Sequence, residues 1–334
     1  MPPPMKIVEI IADAGHVDTI SGIASQHEIH DIWYGQENPD GRVAVRLLVG
    51  GDKLQSVLDA SQSAFGGTEN TSILLLPVEA VLPKPKIDEE EEKRKSVTVT
   101  REELYNSIAN GAQLDSNYLL LVFLSTIVVS IGLMEDNVAV VVGAMVIAPL
   151  LGPNIALAFA TALGDTELMW NSLKTNLAGL GLAFAISAAV GYLFPADLGS
   201  HEIQMRTQVN LETIALALAS GAAAVLSLTT GLSSVLVGVM VAVALLPPMA
   251  TLGMMLGGEN YSEAGGAALL LAVNIVCINL AAKIAFLIRG VKPRTWLEKR
   301  RARQSTVLYI VIWVISLAVL VAVIYLRRTV ILVP

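Results

Sequence analysis

The sequence predicts an α-helical membrane protein of about seven transmembrane helices, with an inverted 3+3 repeat and two proline-broken helices, preceded by a small α+β, ferredoxin-like βαββαβ cytosolic domain. Three observations predict it. Of the 334 residues, 54% are hydrophobic and only 15% charged, with a mean hydropathy of +0.63, well above the balance of a soluble chain. Beyond Tyr118 the apolar residues gather into stretches of the roughly 20 residues that a spanning helix needs. The pattern GAMVIAPLLGP at 143–153 also returns 95 residues later as GVMVAVALLPP at 238–248, with six identities in eleven positions.

Residues 1–80 are mixed in polarity. Short β-like runs, Lys6–Ala12, Glu28–Gly35, Gly41–Val49 and Ser72–Val78, alternate with the amphipathic stretches His16–Gln26 and Lys53–Phe65. That order is βαββαβ, which predicts two helices on an antiparallel sheet. Asp13, Gly15 and His16 form the first strand-to-helix turn, a candidate site for a regulatory ligand because glycine admits a close backbone and helix N-termini favour anions. An ordinary turn reads the same way. His16, His27 and His30 lack the companion ligands of a metal site, so no metal and no cofactor is expected. The N-terminus has no charged segment followed by an apolar one, so a cleaved signal is not expected and the first domain is expected in the cytoplasm.

Residues 81–99, with Pro83, Pro85, the acidic run Asp88–Glu92 and the basic Lys93–Lys95, read as a charged linker. The acidic run supplies much of the net charge of −7, and that balance argues against a nucleic-acid partner. Thr100–Glu103, TREE, has the spacing of a capping box and predicts a juxtamembrane helix, within a 100–116 segment, running to about Leu114. The single cysteine, Cys277, excludes a disulfide framework.

Seven spans are expected, at 118–134, 138–163, 177–194, 211–228, 234–256, 264–288 and 307–326. They divide into a first three-span repeat at 117–194, a second, inverted one at 195–288, a basic loop at 289–304, and a seventh span with a short tail at 305–334. The basic loop marks the cytoplasmic side, which an N-terminal domain inside and six intervening spans also require. An inner (plasma) membrane location with a cytoplasmic N-terminal domain follows.

A repeat unit of three spans is odd, so consecutive units are inverted. Inverted repeats with helices broken at matching positions are the pattern of secondary transporters, whose midplane sites lie at the breaks. Pro149, Pro153, Pro247 and Pro248 remove amide donors from lipid-embedded backbone, which is tolerated only in protein or beside a wet cavity. Simple kinks are the bland alternative. Gly143, Gly152 and Gly238 accompany the prolines, and the polar residues Asn154, Thr229, Thr230, Asn274 and Asn279 lie near them, so these residues make the candidate pathway. Asn176 is a weaker match to Asn274 across the repeat. Lys283 is close enough to the end of its span to snorkel, and Glu135 and Asp136 suit helix capping or cation attraction equally.

The segments MEDNVAVVVGAMVIAPLLGPN and VGVMVAVALLPPMATLG resemble the bacterial and archaeal membrane family called domain of unknown function 389, the uncharacterized hydrophobic domain proteins. The resemblance covers about Asn117 to Ile288. It implies the architecture and a prokaryotic source, and no mechanism.

The leading functional expectation is a transporter or channel for a small ion or polar solute, with its pathway at the broken helices of spans two and five and regulation by the cytosolic domain. The alternative is a membrane-anchored sensor or scaffold whose cytosolic domain binds a ligand or partner without transport. No paired acid and base or nucleophile occurs in the spans, so an enzyme is not expected. The expected partners are the solute, the lipid bilayer and, from the small-residue-rich spans, further copies of the chain.

Overall fold

The computed structural model describes residues 5–29, 31–68, 70–78, 81, 100–194, 198–231, 245–291 and 310–326. The chain divides into two compact units, Met1–Glu103 and Leu104–Pro334.

The N-terminal unit is a four-stranded antiparallel sheet of order β2-β3-β1-β4, built from β1 (Lys6–Asp13), β2 (Ile32–Tyr34), β3 (Arg42–Val49) and β4 (Ser72–Pro77). Helices α1 (Val17–Gln26) and α2 (Gly51–Phe65) follow β1 and β3. Period-two alternation explains the core: Val8, Ile10 and Ala12 of β1 face Val43, Val45 and Leu47 of β3, and the helices cover them with Ile20, Ala24, Leu54 and Val57. The predicted strand from Glu28 is shorter than expected. Glu28 turns with φ 52° and Ile29 drops into the core, so pairing begins only at Ile32. The capping box holds, with Thr100 N donating to Glu103 Oε2 at 3.2 Å and Glu103 N to Thr100 Oγ1 at 3.3 Å. Burial pushes the Glu103 carboxyl up, but the Lys6 ammonium and the Thr100 hydroxyl outweigh it and the net shift is downward.

The second unit is helical: α3 (Arg101–Asn110, entering from the capping box), α4 (Ser116–Met134), α5 (Val138–Ile147), α6 (Leu151–Leu163), α7 (Thr166–Leu193), α8 (His201–Thr207), α9 (Leu211–Thr230), α10 (Leu246–Gly257), α11 (Tyr261–Ile288) and α12 (Ile310–Leu326). Among the described residues α4, α7, α9 and α11 are long and apolar enough to cross a membrane, and α5 with α6 makes a fifth if that bent pair is one span. Leu120, Leu177, Leu216 and Ile288 point outward, more than half exposed, as lipid-facing side chains do. α3 stops at Asn110, short of the expected Leu114. The basic loop lies almost wholly outside the described residues.

Short polar residues start these helices by accepting the free amides of the first turn. Asp115 accepts from Tyr118 N at 2.7 Å, Asn137 from Ala139 N and Val140 N, and Asp165 from Leu168 N at 3.0 Å. Asp136 caps at a distance: its Oδ1 accepts from Glu202 N of α8 at 2.7 Å and from Ser200 Oγ at 3.0 Å. The Glu202 amide holds the carboxyl of the exposed Asp136 below the usual range, with a small desolvation opposing it and Ser200 assisting. Gly164 and Gly231, at φ 74° and 70°, end α6 and α9 in the left-handed conformation that favours glycine.

Helices α4, α6 and α7 start at residues 116, 151 and 166, and α9, α10 and α11 at 211, 246 and 261, a constant displacement of 95 residues. Packing follows the same displacement. α4 packs on α7 as α9 does on α11, α6 on α7 as α10 on α11, and α6 on α11 as α10 on α7.

Candidate functional site

The chain leaves α5 at Ala148, whose extended ψ of 120° is the conformation that a following proline imposes. Pro149 therefore sits in the break, and α5 and α6 meet at 49° across it. The other three prolines act differently from expectation. Pro153 is the third residue of α6, and Pro247 and Pro248 are the second and third of α10. In a first turn the missing N–H has no intrahelical acceptor to lose, so these prolines begin helices. They also thin out the amide donors at both N-termini, which weakens the pull on an anion there.

One turn into α6 the candidate residues converge. Asn279 of α11 donates from Nδ2 to Asn154 Oδ1 at 3.2 Å and to Ile275 O at 2.8 Å, while Asn154 Nδ2 donates to Leu150 O at 3.0 Å. Both asparagines are fully buried. Asn279 Oδ1 has no hydrogen-bond partner among the described residues, a state that costs about 1–3 kcal/mol when no water fills it. Lys283 lies one turn further along α11 and is itself fully buried, so it does not reach outward as its sequence position suggested. Phe159 and Phe286 close the neighbouring layer edge to face at 5.1 Å between ring centroids.

The remaining candidates are distributed. Gly143, in α5, faces open space, since an added Cβ would meet nothing within 4 Å. Gly152 abuts backbone: a Cβ there would stand 2.3 Å from Gly111 O, which explains the glycine by packing. Thr229 and Thr230, at the end of α9, turn their hydroxyls back onto Val225 O at 2.9 Å and Leu226 O at 2.7 Å, so both donors are committed to their own helix. Asn274 is buried on α11. Gly238 lies outside the described residues. α6 and α10 do not pack extensively on each other; each packs on both long helices, α7 and α11.

Two buried polar groups escaped the sequence reading of the pathway. Thr251 Oγ1 of α10 and Asn176 Oδ1 of α7 have no hydrogen-bond partner among the described residues. Thr251 stands one turn after Pro247, a spacing that could have found it. In the N-terminal turn, Asp13 ends β1 without capping the next helix, and the His16 ring packs edge-on to Phe65 at 5.6 Å. His16 Nδ1 and His27 Nε2 have no partner among the described residues. His30 lies outside them. No group of three or more His, Cys, Asp or Glu side chains suited to a metal ion occurs among the described residues.

Four helices long and apolar enough to cross a membrane, with the bent α5–α6 pair as a candidate fifth, define the class as a helical protein of membrane type. Residues 145–280 match the family model "Domain of unknown function (DUF389)". The chain is also 34% identical over 306 residues to an uncharacterized protein of Methanocaldococcus jannaschii, a match covering 91% of this chain and 95% of that protein. The chain belongs to the domain of unknown function 389 family. No solved structure matches it.

Proposed function

We propose that this protein moves a small ion or polar solute across a membrane, along a pathway beside the Asn154–Asn279 pair. The observation that carries the reading is that pair: two fully buried amides on different helices, one turn from a helix break, with an acceptor left over. In a lipid-embedded core a polar group is retained against its desolvation cost when it serves a permeant or a wet cavity.

The constant 95-residue displacement of helix starts, and the matching contacts, support a three-helix repeat. A three-span unit inverts its successor, and the proposal keeps the seven spans that the sequence predicts, with α12 in the last. The strand order β2-β3-β1-β4 with helices after β1 and β3 supports a ferredoxin-like N-terminal unit. We assign that unit to the cytoplasm, as a regulator of the pathway, and the whole chain to an inner, plasma membrane as an oligomer of identical copies.

Purified protein in liposomes, screened against a panel of inorganic ions and small polar metabolites, tests the reading. Solute movement lost in Asn279→Leu while the protein still inserts is the expected result. Absence of movement across the panel, with a soluble ligand bound tightly by the N-terminal unit, would instead make the chain a membrane-anchored sensor.

A further inference from the structure

A cavity of about 530 Å³ opens beside the first turns of α7, lined by Tyr105, Gln113, Leu114, Glu167, Asn171 and Lys174 among others. Its level in the bilayer follows from helix length. α7 has 28 residues, about 42 Å at 1.5 Å per residue, against about 30 Å of hydrocarbon. About eight residues must therefore stand outside the apolar layer. They belong to the first turns, 166–173, which carry Glu167, Trp170 and Asn171 and leave Lys174 next, at the boundary, whereas the last turns, 186–193, hold no charged side chain. Trp170 is 57% exposed, the placement of an indole at the headgroup level.

Two opposite charges line this cavity in a fixed order. Glu167 and Lys174 are seven residues apart, which places them on one face of α7 about 10 Å apart along its axis. Glu167 stands outward and Lys174 inward, and neither is in an ion pair among the described residues. The third charge at this end, Asp165, is already committed to Leu168 N at 3.0 Å and to the Tyr105 hydroxyl at 2.8 Å. Leu114 and Leu168 give the cavity an apolar wall.

We infer that this cavity binds a zwitterionic phosphate ester carrying an ammonium group, as in phosphatidylethanolamine, with its phosphate on Lys174 and its ammonium on Glu167. A phospholipid of that kind holds its phosphate nearer the hydrocarbon and its ammonium nearer water, the same order as the two side chains. A purely anionic headgroup meets Lys174 favourably and Glu167 unfavourably, so the pair discriminates between them. The inference does not depend on transport.

The test is thermal denaturation and equilibrium binding of the full chain in detergent with short-chain phosphatidylethanolamine, short-chain phosphatidylglycerol and soluble O-phosphoethanolamine. Phosphatidylethanolamine is expected to bind at least tenfold more tightly than phosphatidylglycerol, and Lys174→Gln and Glu167→Gln are each expected to weaken it about fivefold or more. Both side chains are exposed, so the lipid-free melting temperature of each variant should match the parent. Soluble O-phosphoethanolamine binding as well as the lipid supports the site and identifies a soluble zwitterion as its ligand; weaker binding identifies the lipid. Equal binding of phosphatidylglycerol, or no loss in Glu167→Gln, overturns the inference.

Discussion

The α6–α11 and α7–α10 interfaces occupy matching places in the chain, 95 residues displaced, and are packed in opposite ways. At α7–α10 the backbones nearly touch: a Cβ on Gly191 would stand 2.1 Å from Met254 O, one on Gly257 2.1 Å from Ala188 O, and one on Gly253 1.9 Å from Ser187 Oγ. At α6–α11 the residues that correspond to Gly191 and Met254 are Phe286 and Phe159, which fill the space with two rings. Likewise Ala188 corresponds to Lys283, and Met249 and Phe184 to Asn154 and Asn279. Small residues let helices approach and leave no room for a side-chain site. Large ones hold them apart, and the polar pair sits where they do. The difference teaches that one helical plan yields a backbone-to-backbone contact or a contact filled by rings and a polar pair, according to side-chain volume at a handful of positions.

The comparison breaks most severely with Gly191→Phe, which puts the aromatic of the ring-filled interface into the one packed backbone to backbone. No backbone shift of a few tenths of an ångström absorbs a ring there, so no monodisperse folded protein is expected by size-exclusion chromatography. The converse truncation, Phe286→Ala, should cost about 3–5 kcal/mol if the space it vacates does not collapse, seen as a lowered melting temperature in detergent.

A smaller effect separates structure from function at the polar pair. Asn154→Leu leaves the Asn279 amide with one partner fewer and should cost about 1–3 kcal/mol. Replacing both asparagines by leucine should restore most of that stability, because two apolar groups leave nothing unsatisfied. A double variant that is stable but transports nothing supports the pathway; one that transports normally removes the pair from it.

The smallest effect lies outside the spans. Asp136 has a depressed pKa in the folded chain, so its contribution is present above the ordinary carboxylate range and is lost as pH falls through the folded value. Asp136→Asn should therefore flatten the acid limb of a stability-versus-pH curve below about pH 4, while leaving the melting temperature near neutrality lowered only slightly.

Much of the fold was legible because periodicity and capping are local. The alternation in Val8, Ile10 and Ala12 and the TREE box each predicted its element from neighbours in sequence. β2 was overextended because the turn at Glu28 depends on Ile29 finding the core, a distant contact. In the candidate site the sequence placed Asn154 and Asn279 on the list, but not as a pair. They are 125 residues apart and meet only through the packing of α6 on α11.

The sequence by itself determined that the chain carries helices long and apolar enough for a bilayer, that a small α+β unit precedes them, and that a proline-marked pattern recurs after 95 residues. Each of these follows from composition, periodicity or residue type, which act over one or two turns of chain. Only the tertiary structure decided which prolines break a helix and which begin one, that Lys283 is buried, and which interface carries a polar pair. Those outcomes depend on whether helices far apart in sequence approach to backbone contact or meet through aromatic rings, and that is a matter of volumes summed across the packed core.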